Sequence, residues 1–323
     1  MLTPIERGGL YLPDCGLWMD ARRAKPFCVV SHAHSDHTAR HESFVATPAT
    51  IDLMRVRMGD AVARRGVALE YGSIYEHGPL KIQLFPAGHV LGSAMVRVEA
   101  PSGESLLYTG DFKTRRGLAA EPIEIPKADI LIMESTFGRP EFVFPPTEVL
   151  HTGIVEFCSK AFEAGEVPVL LAYSLGKAQE VLKILESTDF KLMAYRTIRA
   201  LNPVYEAHGY PMPETRPLDF LNMEGCVSVL PPTVLKKLPK GPHRLAMISG
   251  WGLQANARYR YKTDTVLPLS DHADYPELLE FVEAVDPKTV YTLHGSTAAL
   301  AADLRRAGRD AWSLSGDNQL ELL

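Results

Sequence analysis

Short apolar runs that stop at polar turns recur along the chain, the pattern of strands buried in a sheet. The spacing predicts strands over residues 27–30, 81–85, 105–108, 129–133, 167–173, 244–249, 265–269 and 289–293. Helical spacing appears between them: Ile51, Met54, Met58 and Val62 predict a helix over residues 50–65. Further helices are expected from Thr147, read as a cap, to about residue 164, and over residues 176–185, 276–285 and 297–307. Strand–helix alternation in the middle of the chain implies a parallel βαβ layer. Pro140, Pro145 and Pro146 mark a boundary, and residues 202–217 read as proline-rich connections. After residue 265 the strand-rich texture of the first part returns. Two separated segments, 1–140 and 266–323, are therefore expected to build one domain around an α/β insert at 141–265.

The chemistry sits where the strands end. Residues 31–37 read SHAHSDH, so His32, His34, Asp36 and His37 fall together just past an apolar run. Neutral imidazole and carboxylate suit zinc, and their close spacing suits two neighbouring ions. His89, Asp111, His272 and His294 each follow another strand-like segment. A chain that gathers ligands in this way is expected to hold a dinuclear hydrolytic centre. A lone histidine is more often a surface or capping residue, so His272 and His294 carry less weight singly than the amino-terminal cluster.

Basic residues add possible contacts to an anionic substrate. In ARYRYK, Arg258, Arg260 and Lys262 alternate with Tyr259 and Tyr261, which pairs phosphate contacts with stacking surfaces. As a bare string, it reads as an alternating solvent-facing strand. Lys113, Arg115 and Arg116 follow Asp111 and either line a groove or solvate a loop. Gly176-Lys177 lacks the spacing of a nucleotide-binding loop.

Composition narrows the class. Among 323 residues, 46% are hydrophobic and 23% charged, as in soluble globular proteins. The net charge of −5 excludes coating of polyanions through bulk charge, although bound cations would reverse the local sign. The apolar stretches are too short for a membrane span, and the amino terminus lacks the blocks of a secretion signal. Cys15, Cys28, Cys158 and Cys226 are scattered, which suits reduced thiols in a cytoplasmic protein.

Taken together, SHAHSDH, the AGHVLG loop around His89, TGDF around Asp111, ESTFG around Glu134, SLGKAQE, SGW, SDHAD around His272 and LHG around His294 resemble the β-CASP nucleases of the metallo-β-lactamase fold. The resemblance implies a four-layer αβ/βα sandwich with an inserted α/β β-CASP domain. It implies two divalent ions, Zn2+ or Mn2+, one on His32, His34 and His89, the other on Asp36, His37 and His294, with Asp111 bridging. A hydroxide shared by the ions would attack a phosphodiester. His272, oriented by Glu134, is the candidate general acid, and Asp36 joins them among the catalytic residues. Ser249 and the amides near Gly250 would hold a flanking phosphate. The compact build looks most like the bacterial ligase-associated DNA exonucleases, related to mRNA 3′-end processing factors. DNA is thus favoured, with a DNA ligase or helicase as partner. His294 points instead toward RNA-processing members, which leaves a ribonuclease as the alternative, followed by a small-molecule metallo-hydrolase and a catalytically silent scaffold.

Overall fold

Leu10, Leu17, Met19, Val29 and Val45 from one sheet meet Ile82, Leu84, Val96, Leu106 and Ile132 from a second in a shared apolar layer. Each such side chain contributes roughly 1.5–3 kcal/mol when fully buried. The computed structural model describes residues 2–314 and is mixed α/β. It divides into two units. One comprises the chain up to Arg116, Ala120–Val143 and the chain from His272; the other comprises Gly117–Ala119 and Phe144–Asp271.

In the first unit, one sheet starts as an antiparallel meander of Ile5–Glu6, Leu10–Leu12 and Leu17–Met19. It then continues in parallel through Phe27–Val29, Ser43–Ala46 and Gly66–Ala68. The second sheet has seven strands, of which Ser105–Tyr108, Ile130–Ser135 and Thr289–Gly295 are adjacent and parallel. Parallel neighbours end at the same edge, so the residues that follow them come together although they are far apart in sequence. The helices Tyr275–Val285 and Thr297–Arg306 cover the other face of this sheet.

The second unit is built on six parallel strands, ordered Arg216–Pro217, Lys191–Ala194, Cys226–Leu230, Val167–Leu171, His243–Ile248 and Thr265–Leu267. Val167–Leu171 is buried throughout, as a strand covered on both faces must be. Thr147–Glu163 and Lys177–Leu185 pack on one face.

Several elements depart from the periodicity. The helix expected over residues 50–65 runs Pro48–Met58, capped by the Thr47 side chain, and breaks at Gly59 before a short turn, Asp60–Ala63. Thr147 is the first helical residue rather than the cap, which is Pro146. The proline-rich stretch at 202–217 contains a helix, Asn202–Ala207, because Pro203 stands in the first turn, where no amide donor is needed. Residues 257–261 are helical, not extended. All four cysteines are free, and no described helix is long and apolar enough to cross a membrane.

Candidate metal centre

His32 follows the buried strand Phe27–Val29, and Ser31 fixes its ring: Ser31 Oγ lies 2.9 Å from His32 Nδ1, leaving Nε2 free to face inward. That Nε2 is 3.1 Å from His34 Nδ1, and His34 Nδ1 is also 3.1 Å from His89 Nε2. Asp111 Oδ2 joins them at 3.6 Å from His32 Nε2 and 3.8 Å from His89 Nε2. Four nitrogen or oxygen atoms on a tetrahedral zinc at 2.0–2.1 Å would stand roughly 3.3 Å apart. The set therefore fits a divalent cation. Its chemistry agrees: burial, reinforced by the neighbouring His37 and His89, holds the His32 imidazole well below its ordinary pKa, in the neutral form a ligand needs.

Asp111 reaches the cluster through a turn that only glycine permits. Gly110 has φ +55°, and a Cβ there would lie 2.7 Å from Ser31 Oγ. Asp111 Oδ2 is also 3.3 Å from His37 Nε2, so one carboxylate oxygen faces three imidazoles. Burial disfavours its charge, but His37 and His272 outweigh burial and keep the carboxyl well below the usual range.

His37 is held by Asp20, which the sequence did not single out. Asp20 Oδ2 lies 2.8 Å from His37 Nδ1, and the same carboxylate accepts from Ser31 N at 2.7 Å, Ser31 Oγ at 2.5 Å and Tyr108 Oη at 2.9 Å. Burial, with Asp20 beside it, raises the Tyr108 hydroxyl well above its ordinary pKa, so it remains a donor. Burial alone would lower His37; Asp111 and Asp20 instead raise it well above its usual value. Orienting carboxylates of this kind set which imidazole nitrogen is presented to an ion.

Asp36 and His294 stand further out. Asp36 Oδ2 is 3.7 Å from His37 Nε2 on a side chain that is 51% exposed. The His294 ring centroid is 5.9 Å from that of His37. His294 lies inside the strand Thr289–Gly295 at φ +59°, where the pairing register shifts opposite Glu134 and Ser135.

His272 and Glu134 adjoin Asp111, with one ligand-type atom from each within 4.8 Å of the others. The Glu134 oxygens are 2.9 and 3.0 Å from His272 Nδ1. Glu134 is buried, accepts from Phe112 N at 2.8 Å and Thr136 Oγ1 at 2.5 Å, and so is itself fixed.

The other expected contact residues belong to the second unit. Ser249 is buried, with Oγ 3.3 Å from Tyr261 Oη, and Gly250 opens the short turn Gly250–Leu253. Arg258 and Arg260 lie on the helix Ala257–Tyr261, which Lys262 closes at φ +54°. The guanidinium of Arg258 sits 4.6 Å from the Tyr259 ring centroid, and that of Arg260 5.6 Å from Tyr261's.

A family profile described as "Zn-dependent metallo-hydrolase RNA specificity domain" matches residues 257–313. The chain is 45% identical over 320 residues to a probable DNA ligase of Opitutus terrae, a match covering 97% of this chain but 31% of that protein. It is 26% identical over 369 residues to an RNase J-like protein of Methanocaldococcus jannaschii, covering 89% and 87% of the two chains. A transcription termination factor, FttA, of Pyrococcus abyssi is 28% identical over 212 residues, or 55% of this chain and 32% of the factor. A crystal structure of an Enterococcus faecalis protein of unknown function superposes with a TM-score of 0.63 at 15% identity, covering 90% and 79%, and shares the fold. These matches and the motifs behind the site fit a metallo-hydrolase of the β-CASP type on the metallo-β-lactamase pattern.

Proposed function

We propose that the chain is a nuclease hydrolysing phosphodiester bonds, with DNA as its substrate and an exonucleolytic role in repair. The observation that carries this reading is the juxtaposition of a cation-ready cluster, His32, His34, His89 and Asp111, with a carboxylate-held imidazole, His272. Esters with a poor alkoxide leaving group need both an electrophile and a proton donor.

His32, His34 and His89 would hold one divalent ion, zinc or manganese, and Asp36, His37 and His294 a second, with Asp111 between them. When bound, such a pair supplies charge neutralisation at the phosphate and an activated water. The chain's own groups do the rest. With Nδ1 bonded to Glu134, His272 carries its transferable proton on Nε2 and delivers it to the departing sugar oxygen. Glu134 keeps that ring oriented. Asp20 does the same for His37 through its Nδ1. Ser249, the Gly250 amide, Arg258, Arg260 and Lys262 are assigned to the phosphates and bases of the strand.

The preference for DNA is supported by the 45% identity to a protein named as a DNA ligase, which also makes a ligase the natural working partner. A ribonuclease is the second reading, favoured by the RNA specificity profile over residues 257–313 and the RNase J-like relative. We read residues 1–140 and 266–323 as a four-layer sandwich, 141–265 as its insert, and the setting as cytoplasmic. Matched single-stranded DNA and RNA, labelled at either end and incubated with zinc, manganese or magnesium, decide among these readings. Stepwise shortening of DNA is expected. Preferential cleavage of RNA would replace the first reading by the second, and inactivity on both would remove the nuclease assignment.

A further inference from the structure

Three cations follow Asp111, and the structure gives them three different fates. Arg115 Nη2 is 2.8 Å from Glu277 Oε2, and Glu277 Oε1 also accepts from Arg115 N at 3.0 Å and from Thr114 Oγ1, so this charge is neutralised within the fold. Arg116 is exposed and solvated. Lys113 is 6% exposed, yet among the described residues its ammonium has no carboxylate or carbonyl partner. That combination is uncommon. Buried basic residues are ordinarily paired within the fold.

The burial of Lys113 is enforced by the backbone on either side. Phe112 O accepts from Ala273 N at 2.8 Å, and Lys113 N donates to Ala87 O at 3.0 Å. Gly88, at φ +75°, lets the chain pass so closely that a Cβ there would lie 2.3 Å from Lys113 O. Lys113 is thus clamped between the segment that leads into His89 and the segment that leaves His272, two residues beyond Asp111. Its nitrogen is not among the sealed unpartnered atoms, so the small surface the residue retains includes the charged tip. A buried stem with an accessible, unpaired ammonium, on a residue two positions beyond Asp111, is suited to an anion arriving from solution.

Resting on the nuclease reading above, we propose that Lys113 is a substrate-binding residue that supplies a point charge to a phosphate of the bound strand. Arg115, by contrast, serves the fold. The test compares wild type with Lys113→Met, Lys113→Gln and Lys113→Arg, using a fluorescein-labelled single-stranded DNA oligonucleotide and its RNA counterpart. Binding is read by anisotropy in chelator over a series of salt concentrations, and cleavage by KM in the metal that supports turnover. Losing one charge-assisted phosphate contact should weaken binding about 10-fold or more and raise KM correspondingly. The slope of log affinity against log salt should fall by about 0.7, a change that loosened packing would not produce. Lys113→Arg should recover most of the affinity and the slope. If Lys113→Met fails to fold, Lys113→Gln, which retains a polar tip, gives the same readout. Unchanged affinity and slope in a variant of wild-type melting temperature would overturn the assignment while leaving the nuclease reading intact. Wild-type protein that neither binds nor cleaves either oligonucleotide would remove both.

Discussion

The two sides of the histidine cluster are built to different tolerances. On one side, the inward nitrogens of His32, His34 and His89 already stand at ligand-to-ligand spacing, and His32 and His89 are buried. On the other, His37 is rigidly held by Asp20, while Asp36 is half exposed and His294 is set back at a strand irregularity. Among the described residues, neither Asp36 nor His294 joins a group of three whose ligand atoms lie within 4.8 Å of one another. The first side is preorganised, whereas the second would have to close around the proposed second ion. Preorganisation raises affinity by removing the cost of ordering at the moment of binding. The first ion is therefore expected to be retained through purification and the second to exchange under mild chelation.

The strongest way to break this contrast is His34→Ala, which removes the nitrogen shared by both 3.1 Å contacts. Turnover should fall by more than the roughly 100-fold that a supporting residue costs, and elemental analysis should find the tight ion gone. Full metal content in this variant would mean that the preorganised side is not an ion site. His272→Ala is expected to come next, slowing cleavage about 10²–10⁴-fold, the range for a general acid. Both ions should remain, and loss of metal would move His272 into the ligand set. Asp20→Asn sharpens the comparison from within. The amide cannot support His37 as a carboxylate does, so affinity on the open side should drop about 10–100-fold, with the tight ion unaffected in a chelator titration.

Much of this arrangement was legible before any coordinates. SHAHSDH, His89 and Asp111 declare themselves because a buried strand has a clear apolar signature and its polar successor stands out against it. The three parallel strands that end shortly before Asp111, one residue past Glu134 and one residue past His294 explain why residues so distant in sequence meet. Asp20 was not legible. It precedes Ser31 by eleven residues in a basic stretch, and only the pairing of Met19 with Val29 brings it under the cluster. ARYRYK misled for a related reason. Alternating arginine and tyrosine on an exposed segment satisfies a strand or a helix equally, and what decides is whether a sheet edge is there to pair with it. Pro203 was misread because proline breaks a helix interior but suits its first turn. His294 was expected just past its strand but lies within it, since a register shift is a property of two paired strands and leaves no mark in either alone.

The smallest expected effect tests whether His294 belongs to the open side at all. Its backbone is left-handed, at φ +59°, and its carbonyl accepts from the Ser135 hydroxyl, so a substitution must tolerate that conformation to be informative. Asparagine does so more readily than most residues, and His294→Asn removes the imidazole while preserving the turn into Gly295. If the ring closes onto the second ion only when that ion is bound, the variant should lose about 10-fold in affinity there, the lower end of what a supporting contact contributes, and should keep its melting temperature in the metal-free state. Graded competition with a chelator separates the outcomes. A shift confined to the weaker ion places His294 beside His37; simultaneous loss of both ions would mean that the two sides form one cooperative site and that the contrast between them does not survive occupation.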